Sequence, residues 1–391
     1  MKKPRLLFYC QHSMGMGHLV RSFRLAEVLV DVFDVVFLNG GPIPSGISPP
    51  VDITLINLPA LGMSEQDHLL FSHDTRYSVD EAKSIRQKMV LQAFDHYQPE
   101  VILIELFPFG RKKFADELIP LLSNAHQKNP KPLVLSSLRD ILVQKRADQH
   151  RFENQVSQTL NRYFHAVLLH CDPAFATLSE YFKPTIALQV PVFNTGFVAP
   201  PVADLGYSHN PGIIVSAGGG IVGGELYRTA VHAQKLIWKE IAIPMTLVAG
   251  PFLPEEEWQH LVRIGHDVGG LTLHRTVSGL MSLLSPRNIS VSQCGYNTAM
   301  ELLQSGVKAL VVPFCTAHED EQMSRAQKLM SAGAVKLLHP ALMTDKTLAG
   351  AILELRQAEK FQSKPLNTQG ALNTLEIILK LRRTGYGGEV Q

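Results

Sequence analysis

Two groups of residues have the types and spacing that chemistry would need. The first lies within Asn288 to Gln322, where Gly295, Asn297, Thr298 and Glu301 follow one apolar segment and His318-Glu-Asp-Glu321-Gln322 follows a second, Lys308-Ala-Leu-Val-Val-Pro-Phe314. Gly295 permits a tight turn, and Asn297 and Thr298 are good cap residues for a helix beginning there. Such a helix start offers unpaired amides and the positive end of a dipole to an anion. Glu301 stands one helical turn further on, on the face of Asn297 and Thr298. A carboxylate there would repel a phosphate but can accept from two ribose hydroxyls together. The combination suits a nucleotide diphosphate.

The second group is dispersed. Met14-Gly15-Met16-Gly17-His18 falls between a first strand and a first helix, where a glycine turn lets a ligand approach a helix start. His18 reads either as a capping or packing histidine or as an acid–base group facing a cleft. Glu105 and Asp140 each end an apolar strand, either facing that cleft or capping a turn or pairing with Arg111 or Arg139. Ser216-Ala-Gly218-Gly219-Gly220 is a second glycine loop after a strand. It is an ordinary turn, or a place where the backbone needs unusual angles or close ligand contact. Cys294 as a nucleophile would lack an identifiable base. The acids around Glu321 suit a first helical turn on dipole grounds alone, whereas the amide of Gln322 can both donate to and accept from sugar hydroxyls. No D-x-D carboxylate pair occurs, so amides, the helix dipole and an arginine would carry the charge of a diphosphate, without metal.

Positioning these groups falls to an alternation of strands and helices. Strands are expected at 5–10, 35–38, 101–104, 133–136 and 166–170, with helices at 19–30, 79–96, after Phe114, and at 151–164. The stretch from Gly40 to Ser78 reads as mostly loop with one short strand at 53–56. Prolines and glycines interrupt the pattern around 190–210, as in an interdomain linker. Alternation resumes with strands at 213–216, 245–249 and 271–274 and helices at 224–239, 254–263, 278–284, 320–331, 344–358 and 370–382. The pattern predicts parallel β-α-β units: an α/β chain of two doubly wound, Rossmann-like domains facing a central cleft, with ligands at the carboxyl ends of the strands.

Composition sets bounds on function. The 391 residues suffice for about two domains, and 45% apolar with 18% charged residues is the composition of a soluble globular protein. A net charge of +2 gives no electrostatic case for nucleic-acid binding. Four scattered cysteines without a C-x-x-C pair read as reduced thiols in a cytoplasmic protein. No membrane-spanning run or signal peptide is recognisable. Phe107, Phe109, Lys112, Lys113 and Phe114 read either as a basic-aromatic patch for peripheral membrane contact or as a mixed strand end.

On the glycine loop ending in His18, the Ser216 to Gly220 loop, Gly295-Tyr-Asn-Thr298 with Glu301, and Glu321-Gln322 before Arg325-Ala326, the chain resembles the GT-B glycosyltransferases related to the lipid II-forming N-acetylglucosaminyltransferase. Phe107-Pro-Phe-Gly-Arg111 and Leu138-Arg-Asp-Ile-Leu142 are similar to an uncharacterised branch of that family 28-like group. The resemblance implies a nucleotide-sugar donor, often a UDP-sugar, bound by the C-terminal half, and an acceptor bound by the N-terminal half. It implies that Glu301 holds the ribose, that Gly219 and Gly220 lie by the diphosphate, that Glu321 and Gln322 grip the donor sugar, and that Val277 and Ser278 contact the base. It also implies a last helix that returns to the first domain. The boundaries expected are 1–195, a linker 196–211, 212–368, and a helix 369–391. Cys294 stands where a glycine is common, and Glu105 where this branch often has aspartate.

The sequence therefore predicts an inverting, metal-independent hexosyltransferase. His18, alone or oriented by Glu105 or Asp140, is the base toward an acceptor hydroxyl on a small molecule, glycan or lipid, and Gly17, Ser216, Gly218 and Gly295 shape the donor pocket. A nucleotide-sugar epimerase and a non-catalytic nucleotide-sugar sensor are the rival readings.

Overall fold

A computed structural model describes residues 2–12, 16–64, 67, 69–142, 146, 148–201, 211–277, 279–316, 320–358 and 365–384. The first half runs β1 (Arg5–Cys10), α1 (Gly17–Leu29), β2 (Asp34–Asn39), β3 (Thr54–Asn57), β4 (Leu61–Met63), β5 (Leu70–Ser72), α2 (Val79–Tyr97), β6 (Val101–Glu105), α3 (Ala115–Gln127), β7 (Leu133–Arg139), α4 (Gln149–Tyr163), β8 (Ala166–His170), α5 (Leu178–Tyr181) and β9 (Val192–Asn194). The second runs β10 (Ile213–Ser216), α6 (Gly224–Ile241), β11 (Met245–Val248), α7 (Glu255–Gly265), β12 (Leu271–His274), β13 (Ile289–Ser292), α8 (Tyr296–Ser305), β14 (Lys308–Val311), α9 (Glu321–Ser331), β15 (Lys336–Leu337), α10 (Asp345–Gln357) and α11 (Gly370–Thr384).

The strands of each large sheet are parallel, in the orders β3-β2-β1-β6-β7-β8-β9 and β12-β11-β10-β13-β14-β15. Both chains of strands start in the middle, grow to one side and then reverse to the other. The reversal falls between β1 and β6 in the first sheet and between β10 and β13 in the second. Flanking helices cannot cover the carboxyl ends at such a switch point, and a crevice results. Strands such as Val101–Glu105 and Ile289–Ser292 are buried along their whole length, the cause of their unbroken apolar runs.

The segment 40–78 holds more structure than its composition suggests. Besides β3 it forms the antiparallel hairpin β4–β5, whose Leu61 packs with Ala82 and Phe114. Its three-residue strands fall below the length at which alternation is detectable. The basic-aromatic reading of 107–114 is corrected: Phe107, Phe109 and Phe114 are buried, with Phe109 edge-on to Phe182 at 5.2 Å, so only Lys112 and Lys113 face water. The helix expected at 278–284 is a short 3-10 turn, Leu280–Leu283. Helix α11 returns to the first half, burying Ile378 and Leu381 among Leu6, Phe8 and Leu19. Residues 202–210 of the expected linker lie outside the described residues.

One apolar cluster is continuous across the two halves, running from Leu138, Ile141, Phe175 and Phe197 to Tyr296, Met300 and Ala326. At its edge Arg325 of α9 is fully buried and crosses to Asp140, with Nε–Oδ2 and Nη2–Oδ1 both 2.7 Å. Removing one member of such a pair leaves an uncompensated buried charge, a loss of about 3–5 kcal/mol. Asp140→Ala is expected to lower unfolding stability by that amount in urea titrations; a loss below about 1 kcal/mol would mean the pair does not close this interface.

Candidate active site between two switch points

Several of the residues singled out in the sequence gather at the two switch points. Beyond β1, α1 begins at Gly17 with Met16 as its N-cap, so His18 lies in the first turn and not at the cap. Beyond β6, Glu105 is fully buried, and its Oε1 lies 2.8 Å from His18 Nδ1. A carboxylate only accepts, so Nδ1 carries the imidazole proton and Nε2 is left with its lone pair. Nε2 has no hydrogen bond to a described residue, and the ring stays 9% exposed. Burial holds the imidazole well below its usual pKa, and Arg111, Arg139, Arg21 and His12 push in the same direction. His18 is therefore neutral at physiological pH, with a free basic nitrogen.

Glu105 also pairs with Arg21, one helical turn beyond His18 on α1, and accepts from Ser137 Oγ at 2.7 Å. Ser137 is 2.9 Å from His170 Nε2. Asp140 does not reach His18: its carboxylate is spent on Arg325. Of the two carboxylates considered for orienting the imidazole, the structure places Glu105 there.

Across the cleft, β10 and β13 end in the paired residues Ser216 and Ser292. Their buried hydroxyls have no protein partner among the described residues. The glycine loop follows. Gly218 has φ +57, and Gly220 has φ +89 with the carbonyl oxygen of Ala249 2.2 Å from where a Cβ would stand, so no other residue fits there. Gly218 lies against Thr298, whose Oγ1 would be 3.8 Å from a Cβ, while Gly219 faces Phe252. Helix α8 begins at Tyr296 with Gly295 as its N-cap and no side-chain cap bond. Asn297 and Thr298 thus stand in the first turn and are not caps, because the chain enters the helix two to three residues earlier than the side-chain preferences imply. The amides at that end remain for a ligand.

Helices α1 and α8 meet through their starts. Asn297 Nδ2 donates to the Gly17 carbonyl at 3.0 Å, and Arg24 Nη2 donates to Glu301 Oε1 at 3.1 Å. The positive ends of two helices thus converge where His18 stands. Glu301 is half-buried, and desolvation raises its pKa despite Arg24. Gln322 Oε1 accepts from the amides of Cys294 and Phe314 at 3.0 and 3.2 Å, leaving its amide hydrogens for a ligand. Glu321 is buried, and both its oxygens are engaged by Arg325 (2.6 Å) and Arg139. Val277 is half-buried in the loop beyond β12, whereas Ser278 and His318 lie outside the described residues. The Cys294 thiol is buried and pushed up to about 12 by desolvation, which removes it as a nucleophile at neutral pH.

Arg21, Arg24, Ser137 and His170 carry no role in the sequence reading, and Arg325 enters it only as part of a motif. The signals were there: two arginines on the apolar side of a short helix, and polar residues closing the apolar strands β7 and β8.

Comparison with known proteins now has a geometry to be set against. Residues 274–377 match the model of the glycosyltransferase family 28 C-terminal domain. A UDP-N-acetylglucosamine–N-acetylmuramyl-(pentapeptide) pyrophosphoryl-undecaprenol N-acetylglucosamine transferase of Rippkaea orientalis is 26% identical over 227 residues, 55% of this chain and 58% of the relative. The enzyme of the same name from Crocosphaera subtropica is 25% identical over 213 residues, covering 51% and 55%. The chain thus spans a little over half the length of these curated relatives. Among solved structures, the calicheamicin glycosyltransferase CalG4 superposes with a TM-score of 0.60 at 13% identity, over 98% of this chain and 99% of its own. Acinetobacter baumannii MurG gives 0.55 at 13%, over 96% and 100%. A putative UDP-N-acetylglucosamine 2-epimerase from Listeria monocytogenes gives 0.60 at 13%, over 98% and 97%. The fold is GT-B.

Two outcomes test this geometry. Cys10, Cys171 and Cys294 are buried and Cys315 is exposed, so one equivalent of a thiol reagent should react rapidly in the native state; fast reaction of Cys294 would contradict its burial. His170 is held at about 3 by desolvation, against an ordinary 6.5. The unfolded chain then gains a proton near pH 6.5 that the folded chain refuses, so stability is whole above 6.5 and falls as the pH drops toward 3. Each such histidine adds a slope of up to about 1.4 kcal/mol per pH unit. His170→Gln should flatten the acid slope measured by urea unfolding at several pH values; an unchanged slope would show that His170 titrates normally.

Proposed function

We propose that the chain is a glycosyltransferase that moves a sugar from a UDP-sugar to an acceptor hydroxyl, with inversion and without a metal ion. The observation that carries this reading is a neutral, Glu105-oriented His18 at one switch point, facing the amide-bearing start of α8 at the other. In the proposed step His18 Nε2 takes the acceptor hydroxyl's proton as the oxygen attacks the anomeric carbon. The bond to the diphosphate breaks on the opposite face. The charge gathered on the leaving phosphate is met by the first-turn amides of α8 and the Gly218–Gly220 loop. Glu301 accepts the ribose hydroxyls beside Arg24, Gln322 donates to the sugar, and Val277 borders the base. Ser216 and Ser292, without protein partners among the described residues, lie beneath this pocket.

The relatives' names specify a UDP-N-acetylglucosamine donor and a pyrophosphoryl-undecaprenol acceptor. They support UDP as the carrier and favour a lipid-linked acceptor here, reached by peripheral contact with a membrane; no described helix is long and apolar enough to cross one. The likeness to the Listeria 2-epimerase keeps a second reading open, in which donor alone is converted to its epimer.

If His18 is the base, His18→Ala lowers turnover by roughly 10²–10⁴-fold while the dissociation constant for UDP-sugar stays near wild type. Unchanged turnover would remove it from the chemistry. Glu301→Ala should weaken UDP binding roughly 10–100-fold, the worth of hydrogen bonds to a charged group. Calorimetry showing equal affinity would end its ribose role, and formation of an epimer from donor alone would overturn the transferase reading.

A further inference from the structure

We propose that Ser137 and His170 are positioning residues for His18, forming with Thr195 a buried hydrogen-bond chain that fixes which nitrogen of the base carries its proton. The inference rests on His18 being the base. Ser137, His170 and Thr195 are all fully buried. Behind Glu105 Oε2 come Ser137 Oγ at 2.7 Å, then His170 Nε2 at 2.9 Å from Ser137, then Thr195 Oγ1 at 2.9 Å from His170 Nδ1.

The chain has two directions, and one serves His18. In the first, Ser137 donates to Glu105, His170 donates from Nε2 to Ser137, and Thr195 donates to His170 Nδ1. In the other, His170 donates from Nδ1 to Thr195, Thr195 donates to the Gly196 carbonyl at 2.8 Å, and Ser137 turns its proton toward His170, leaving Glu105 Oε2 bare. A hydrogen bond to a charged acceptor is roughly twice as strong as one between neutral groups, and a buried charge left unpaired is the costlier defect. The first direction prevails, and Glu105 holds the Nδ1 proton of His18 with both oxygens satisfied. Other charges face this chain. Arg21 lies against Glu105 and near His170, Arg111, Arg139 and His12 lie near His18, and Cys10 adjoins Glu105. The far end reaches the donor half: the Tyr296 hydroxyl, in the first residue of α8, donates to the His170 carbonyl at 3.1 Å and accepts from the Val198 amide at 3.0 Å.

The test is ¹⁵N-histidine NMR of the full chain without substrate, assigned with His18→Gln and His170→Gln, beside pH–rate profiles of Ser137→Ala and Ser137→Thr. Expected at pH 7 are a neutral His18 protonated on Nδ1 and a neutral His170 protonated on Nε2. In Ser137→Ala the less satisfied carboxylate attracts the imidazole proton more strongly, so the acid limb of kcat/KM moves up by about half a unit to one unit. Turnover falls roughly tenfold, and Ser137→Thr restores both. A merely structural serine would lower activity without moving the limb. His170 protonated on Nδ1 in the wild type would overturn the proposal even if Ser137→Ala fails to fold, as would an unmoved limb in a folded Ser137→Ala. Full turnover in His18→Ala would instead refute the base assignment, a separate failure from the tautomer result.

Discussion

The buried guanidinium of Arg325 is the constraint on which the arrangement of the two halves depends. It rises from α9 in the second half, yet a carboxylate from the first, Asp140, supplies its bidentate partner, and Glu321 and the Cys294 carbonyl each take one further proton. An arginine so deeply desolvated is tolerable only while every partner stays in place. The halves cannot separate in this arrangement without baring a charge in an apolar cluster. The consequence reaches the pocket, because Glu321 and Cys294 flank the residues that line it. Arg325 also lies 5.8 Å from the Tyr296 ring, with Arg21 at 5.1 Å. One aromatic ring thus adjoins the guanidinium bound to Asp140 and the guanidinium bound to Glu105.

From that constraint the electrostatics of the cleft follow. Two switch points are brought face to face, and each contributes a helix start, so the space between them favours negative charge. The arginines that favour an anion there act together with burial to keep His18 unprotonated. A base and an anion site can therefore share one cleft without the base being neutralised by a proton of its own. Glu105 supplies the counterweight, close enough to orient the imidazole and held in place by Arg21 and Ser137.

Much of this was legible in the residues. The alternation of strands and helices, the two glycine loops and the start of α8 all follow from local rules, since turn chemistry and apolar periodicity act over a few residues. What was illegible depends on contacts distant in the chain. Asp140 and Glu105 look alike in sequence, each closing an apolar strand, and only the packing of α1 and α9 assigns one to His18 and the other to Arg325. The phenylalanines near Lys112 read equally as surface or interior, because a strand end carries no periodicity to decide it. Nothing in the local pattern around Glu321 foretells that its two oxygens are engaged by two arginines, one of them from the first half. The hairpin at 61–72 was too short for its pattern to stand out.

The central claim is that the two switch points form one reaction centre around a nucleotide diphosphate. A crystal structure of the chain with UDP tests it most directly. The account predicts the diphosphate within hydrogen-bond distance of the α8 first-turn amides and the Gly218–Gly220 loop, the ribose hydroxyls on Glu301, and His18 Nε2 open toward the terminal phosphate. UDP bound elsewhere, or in this cleft with its ribose away from Glu301, would contradict it.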